Sequence, residues 1–288
     1  MERVLITGSN GQLGSELKLL IKNYSNYEYY FTDKDELDIC DKNALISFIE
    51  KNKIKIIINA AAYTNVEDAE IRSKTADAIN YEAVKSIGEL VKEFKLKLIH
   101  ISTDYVFDGV SNKGYKESDI VNPINVYGIT KSKGERVLLR INPANCAIIR
   151  TSWLYSQFGS NFVKTMLKLL KEKEQISVVS DQVGSPTYAN NLADVILNVI
   201  PLLKNDGVEV YHYTNSGACS WFDFANEIKG LTKSTCKINS VTSEEFKAKA
   251  TRPKFSLLNT EKIQKDFQIE IPFWKDSLKE CLIKMNEL

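Results

Sequence analysis

Tyr127 and Lys131 stand four residues apart in the segment NVYGITKSKGE. On a helix that spacing puts both side chains on one face, one turn apart. A phenol with a pKa near 10 exchanges protons poorly at neutral pH unless a nearby cation favours its phenolate. A lysine ammonium one turn away is such a cation, and it can also hold a cofactor ribose. Tyr/Lys pairs at this spacing are common on exposed helices, so the pair needs support from its surroundings. That support lies upstream, in KLIHISTDYVFDG. The segment reads as a strand whose carboxyl end delivers Ser102, Thr103, Asp104 and Tyr105, and open α/β sheets bind ligands outside such ends. A Thr103 hydroxyl sharing the substrate oxygen with Tyr127 suits general acid catalysis of carbonyl reduction.

A second site is written into ITGSNGQLGSEL, where Gly8, Gly11 and Gly14 fall between an apolar run and a helical pattern. Gly8 can take the tight-turn conformation, Gly11 lets the backbone approach a phosphate, and Gly14 lets the helix pack on the sheet. The helix N-terminus then offers free N–H groups to an anion. Asn10, Gln12 and Leu13 complete the turn as candidate cofactor contacts. Asp33 ends the second strand, where a carboxylate meets the adenosine ribose and repels a 2′-phosphate. This favours NADH slightly over NADPH, and Lys34 beside it softens the preference. Asp38 is either a solvated loop acid or a partner of the adenine, with Ile39 beside it.

Elements must hold these residues in place. Strand-like runs at Val4 to Thr7, Tyr27 to Thr32, Ile54 to Ile58, Lys97 to Ser102 and Cys146 to Thr151 alternate with helical patterns. The helices fall at Gln12 to Lys22, Ala44 to Lys53, about Ser73 to Phe94, and about Asn125 to Ile141. Repeated β-α-β units with strands apolar on both faces predict a doubly wound, Rossmann-like parallel sheet. Beyond Trp153 the pattern loosens. Helices are expected at Asn161 to Lys173, Ala189 to Leu203, Phe222 to Leu231 and Trp274 to Asn286, with strands at Ile176 to Val179 and Val210 to Tyr213. The expected plan is a dinucleotide-binding domain over 1–152, completed by the helix near 189–203. A smaller irregular α/β domain over 153–288 binds substrate.

Composition narrows the function. Thirty-eight basic and 37 acidic residues leave a net charge of +1, with no excess to neutralise a nucleic-acid backbone. No apolar run approaches the roughly 20 residues of a membrane span, and no signal-peptide core follows Met1. Five cysteines without C-x-x-C spacing fit reduced thiols, so a cytoplasmic protein is expected.

Together the glycine turn, Asn59-Ala60-Ala61-Ala62, Asn80, Thr103 and the Tyr127/Lys131 pair resemble the extended short-chain dehydrogenase/reductases. The stretches NAAAYTNVEDAE, RTSWLY, GSPTYANNLAD and RPKFSLL narrow the resemblance to the dTDP-4-dehydrorhamnose reductase family, across nearly the whole chain. The resemblance implies hydride delivery from NADH or NADPH to C4 of dTDP-4-dehydro-L-rhamnose. It implies Tyr127 as acid, Lys131 holding the nicotinamide ribose and lowering the tyrosine pKa, and Thr103 on the reacting oxygen. Asp104 and Tyr105 would touch the sugar, and Ala61, Ala62 and Tyr63 the cofactor. Trp153 would stack on the thymine base, and Arg252 would meet the diphosphate. Asn80 is either a structural amide or part of a proton relay. Asn161 and Gln182 are either substrate neighbours or buried caps, and His100 and His212 are expected to pack in strands. Glu16 falls near a position that binds magnesium in some members, but YANNLAD lacks a second glutamate, so no metal is expected. A homodimer is left open. A 4,6-dehydratase is disfavoured because Tyr105 stands where that enzyme carries a glutamate. An epimerase of the same superfamily, or a non-catalytic regulatory subunit of the same fold, stays open.

Overall fold

Strands that bury side chains on both faces need helices on both faces, and the chain supplies them in alternation. The computed structural model describes residues 1–288. In chain order it runs β1 (Glu2–Thr7), α1 (Gln12–Leu20), β2 (Tyr27–Thr32), α2 (Lys42–Asn52), β3 (Ile56–Asn59), α3 (Val66–Ala69) and α4 (Ser73–Asp77). A π-helical turn, Ala78–Glu82, leads into α5 (Ala83–Glu93) and β4 (Lys97–Thr103). A 3₁₀ turn, Asp104–Val106, precedes α6 (Val126–Ile141), β5 (Cys146–Thr151), β6 (Leu154–Tyr155), α7 (Phe162–Glu172) and β7 (Gln175–Val179). Then come β8 (Val183–Gly184), β9 (Thr187–Tyr188), α8 (Ala189–Val199), β10 (Val208–His212), β11 (Cys219–Ser220) and α9 (Trp221–Leu231). The chain closes with β12 (Lys237–Val241), α10 (Ser243–Phe246), α11 (Glu261–Phe267) and α12 (Trp274–Lys284).

Six strands form one parallel sheet in the order β2-β1-β3-β4-β5-β10. The two-residue period divides them cleanly. Val4, Ile6, Ile56, Ile58, Ile99 and Ile149 face one core with α1 and α8. Leu5, Ile57, Leu98 and Ile148 face the other with α2, α5 and α6. The order reverses at β1, between β2 and β3, so the crevice for a ligand opens at the carboxyl end of β1, where the glycine turn lies. A third apolar cluster joins α7, α9 and α12 around Tyr155, Tyr188 and Phe224.

The expected doubly wound sheet is present, its sixth strand β10 coming from beyond residue 152, with local differences. Ile54 does not belong to β3; its N–H bonds the Ile49 carbonyl and closes α2, behind left-handed Lys53, a Schellman-like end. The single helix expected from Ser73 to Phe94 is interrupted by the π turn. There Gly134 of α6 approaches the Asn80 carbonyl so closely that a Cβ would collide with it. A strand not expected from sequence, β12, pairs with β7 in a separate two-stranded sheet.

Candidate active site

Strand ends, one helix face and the glycine turn converge on a single cavity of about 1140 Å³. At one end Gly8 has φ +67°, and a Cβ there would lie 2.6 Å from the Ala61 nitrogen. Only glycine permits that turn against the loop after β3. The N-terminus of α1 has no side-chain cap and no acid in its first turn. The N–H groups of Gln12, Leu13 and Gly14 have no acceptor, whereas α2, α6 and α7 are capped by Asp41, Asn125 and Asn161. Three free donors at a helix N-terminus fit a pyrophosphate. The Asp33 carboxylate accepts from the Asn10 N–H at 2.9 Å and the Lys34 N–H at 2.8 Å, which fixes it at the cavity edge. Asp38 and Ile39 line the same end. Asp38 also accepts from the Cys40 N–H at 2.9 Å, so it shapes its own loop.

At the other end β4 releases Thr103 and Asp104 beneath α6. Asn125 starts that helix by accepting from the Gly128 N–H at 2.8 Å. Tyr127 and Lys131 then project toward the cavity from successive turns. Tyr127 and Thr103 line the same end of the cavity, and the Tyr127 ring meets Tyr105 edge-on at 5.8 Å. Burial drives its pKa up to about 12, opposed by the neighbouring Thr103 hydroxyl. Burial outweighs the lowering expected from Lys131, whose ammonium donates to the Ile101 carbonyl at 2.6 Å. The phenol therefore keeps its proton, as an acid must. Burial lowers Lys131 to about 8 while Glu135 opposes the fall. Asp104, bonded to Thr103 at 3.0 Å, is raised by burial to about 7.

Of the residues expected to act in catalysis or to touch cofactor or substrate, the cavity lining holds all but Tyr63. Tyr63 is not among the lining residues; its phenol donates to Asp68. Asn80 grips the Tyr63 main chain, accepting from its N–H at 2.9 Å and donating to its carbonyl at 3.1 Å. Asn80 thus has a structural part, and it also donates to Thr130 of α6 at 3.1 Å. Asn161 caps α7 and lines the cavity, donating to Gln12 at 3.0 Å. Gln182 lies outside it, donating to Ser243 at 2.8 Å. Glu16 is buried against Ser156 and Asn190. His100 and His212 are buried in strands.

Two groups escaped the sequence. Trp221 stacks face to face on Trp153 at 3.6 Å and lines the cavity with it. Both residues are aromatic in a chain with many aromatics, so spacing alone carried no signal. Glu67 of α3 accepts from Arg252 at 3.1 Å and from the Lys249 and Ala250 N–H groups at 2.9 and 3.1 Å. It ties residues 249–252, which include the cavity-lining Arg252, to α3.

The family model described as RmlD substrate binding domain matches residues 1–287. The chain belongs to that family. It is 39% identical to dTDP-4-dehydrorhamnose reductase of Aggregatibacter actinomycetemcomitans, with 97% of this chain and 98% of that protein covered. It is 37% identical to the enzyme of the same name from Escherichia coli strain K12, over 99% and 97% of the two chains. Among solved structures it is similar to dTDP-4-dehydrorhamnose reductase of Bacillus anthracis in complex with NADP, at TM-score 0.93 and 39% identity, over 98% and 99%.

Proposed function

We propose that the protein reduces the C4 keto group of dTDP-4-dehydro-L-rhamnose to give dTDP-L-rhamnose for cell-surface polysaccharide, using NADH or NADPH. The observation that carries the proposal is Thr103, Tyr127 and Lys131 meeting in one cavity with an uncapped, glycine-lined helix N-terminus. The family relatives named above support the substrate and the reaction, and the NADP complex supports the cofactor.

Gly11, Gln12, Leu13 and Gly14 would hold the cofactor pyrophosphate, Asp33 its adenosine ribose, and Ala61 and Ala62 its nicotinamide half. A bound reduced nicotinamide supplies hydride. Tyr127, protonated at neutral pH, donates its proton to the developing C4 alkoxide, and Thr103 holds that oxygen by a hydrogen bond. Lys131 holds a ribose hydroxyl and favours the phenolate left behind. Asp104 and Tyr105 orient the sugar. Trp153, stacked on Trp221 in the cavity lining, would meet the thymine, and Arg252 the diphosphate. Residues 1–152 with the helix near 189–203 carry the cofactor and residues 153–288 most of the substrate. A cytoplasmic location and a homodimer belong to the same proposal.

Purified protein mixed with freshly made dTDP-4-dehydro-L-rhamnose and either reduced nicotinamide should consume the cofactor. Folded protein that consumes neither would overturn the proposal.

A further inference from the structure

Lys131 is 2% exposed, and its ammonium has one hydrogen-bond acceptor, the Ile101 carbonyl. A buried ammonium with so few partners tends to lose its proton. One turn further along α6 stands Glu135, also 2% exposed, on the same helix face. Arg150 of β5 grips both carboxylate oxygens, Nε to Oε1 at 2.9 Å and Nη2 to Oε2 at 2.7 Å. Arg150 is itself fixed. Its Nη1 lies 3.2 Å from His212 Nε2, its guanidinium lies over the Phe107 ring at 5.1 Å, and His212 Nδ1 faces the Tyr115 carbonyl at 3.1 Å. A carbonyl only accepts, so Nδ1 carries the proton and Nε2 accepts from Arg150; His212 is neutral. A buried ion pair packs no better than apolar residues of similar volume, so packing alone does not account for this one.

We propose that Glu135, clamped by Arg150, is the positioning residue that holds Lys131 as an ammonium at the floor of the cavity. The inference rests on the proposed catalytic role of Lys131. The other ionisable groups around the cluster are His100 and Asp104 at β4, Tyr127 on α6, and Glu117 and His212 beyond Arg150. Burial keeps His100, His212 and Tyr127 uncharged at neutral pH, with Lys131 and Arg150 reinforcing the two histidines. Glu117 is half-buried and accepts from the His212 N–H, on the far side of Arg150. Asp104 titrates near neutrality, so the test is made in an Asp104→Asn background.

The test follows the Cε resonance of Lys131 in ligand-free, ¹³C-lysine-labelled protein through a pH titration, assigned with Lys131→Met. The expected midpoint is about 8. Glu135→Gln should lower it by about one pH unit, and Glu135→Asp, which keeps the charge, should restore most of that shift. Glu135→Leu with Arg150→Met replaces the pair by apolar side chains, guards against misfolding, and should also lower the midpoint. An unchanged midpoint in that folded double variant overturns the inference. In the parent background, the alkaline limb of turnover should move down with the same substitutions, so activity lost at pH 8 returns several-fold at pH 7. A shifted resonance in a protein that turns over no keto sugar would uphold the role of Glu135 and sink the reductase proposal instead.

Discussion

Replacing Gly128 by alanine tests how α6 is seated over the strand ends. In an unconstrained helix the change stabilises by up to about 1 kcal/mol, because glycine gives up more backbone freedom on folding. Gly128 is constrained. A Cβ there would collide with the carbonyl oxygen of Tyr105, and would lie 3.0 Å from its carbonyl carbon and 3.1 Å from Pro123 Cβ. Backbone atoms cannot swing aside as a flexible side chain can, so α6 or the turn after β4 must move. Overpacking of this kind costs about 1–3 kcal/mol, which outweighs the propensity gain and leaves a net loss of about 1–2 kcal/mol. Turnover should suffer more than stability. Tyr127 adjoins Gly128, Thr103 lies just before the turn, and a misplacement of about 1 Å costs on the order of 10²-fold in rate. Gly230→Ala is the matched control: it too is helical, in α9, but its added Cβ meets nothing within 4 Å. It should gain a few tenths of a kcal/mol up to about 1 kcal/mol with unchanged turnover. Urea denaturation of both variants, at constant m, gives the comparison. Equal midpoint shifts, or full turnover in Gly128→Ala, would refute the seating of α6.

Asp104 gives a pH prediction. Its folded pKa, about 7, lies above the unfolded value of about 3.9. The native state therefore binds the proton more tightly, and that stabilisation is complete below about pH 4 and lost as pH rises through 7. Denaturation midpoints should fall from pH 5 to 8 in the parent and much less in Asp104→Asn; parallel curves would contradict this. Glu67→Ala releases Arg252 and should raise KM for the nucleotide sugar about tenfold, roughly one charge-assisted hydrogen bond, with kcat kept. An unchanged KM there, alongside a raised one in Arg252→Ala, would show that Glu67 does not position the guanidinium. Trp221→Ala removes the backing of Trp153 and should raise the same KM several-fold while leaving NADH affinity, read by fluorescence titration, at the parent value.

What the sequence made legible is what local rules encode. The β-branched run at Ile56 to Ile58, the glycine turn and the four-residue Tyr127/Lys131 interval each follow from a two-residue or 3.6-residue period, or from glycine's conformational freedom. What it hid depends on contacts between distant segments. The π turn at Asn80 exists where the Tyr63 main chain and Gly134 both press on it, and no helical period reports that. Tyr63 sits beside Ala61 and Ala62 in the chain, yet its phenol bonds Asp68 and it is not among the lining residues. The Trp153/Trp221 stack and the Glu67–Arg252 tie join residues far apart in sequence. The pKa order was hidden for the same reason: spacing put a cation near Tyr127, but burial of the phenol by distant segments outweighs it.

The central claim is that Tyr127 protonates a keto sugar reduced by a bound nicotinamide. The most direct measurement compares parent protein and Tyr127→Phe for consumption of NADH and NADPH with dTDP-4-dehydro-L-rhamnose, alongside cofactor affinity by fluorescence. The account predicts turnover in the parent, and in the variant a loss of about 10²–10⁴-fold, the usual scale of one acid catalyst, with cofactor affinity nearly unchanged. Full turnover by Tyr127→Phe would contradict it.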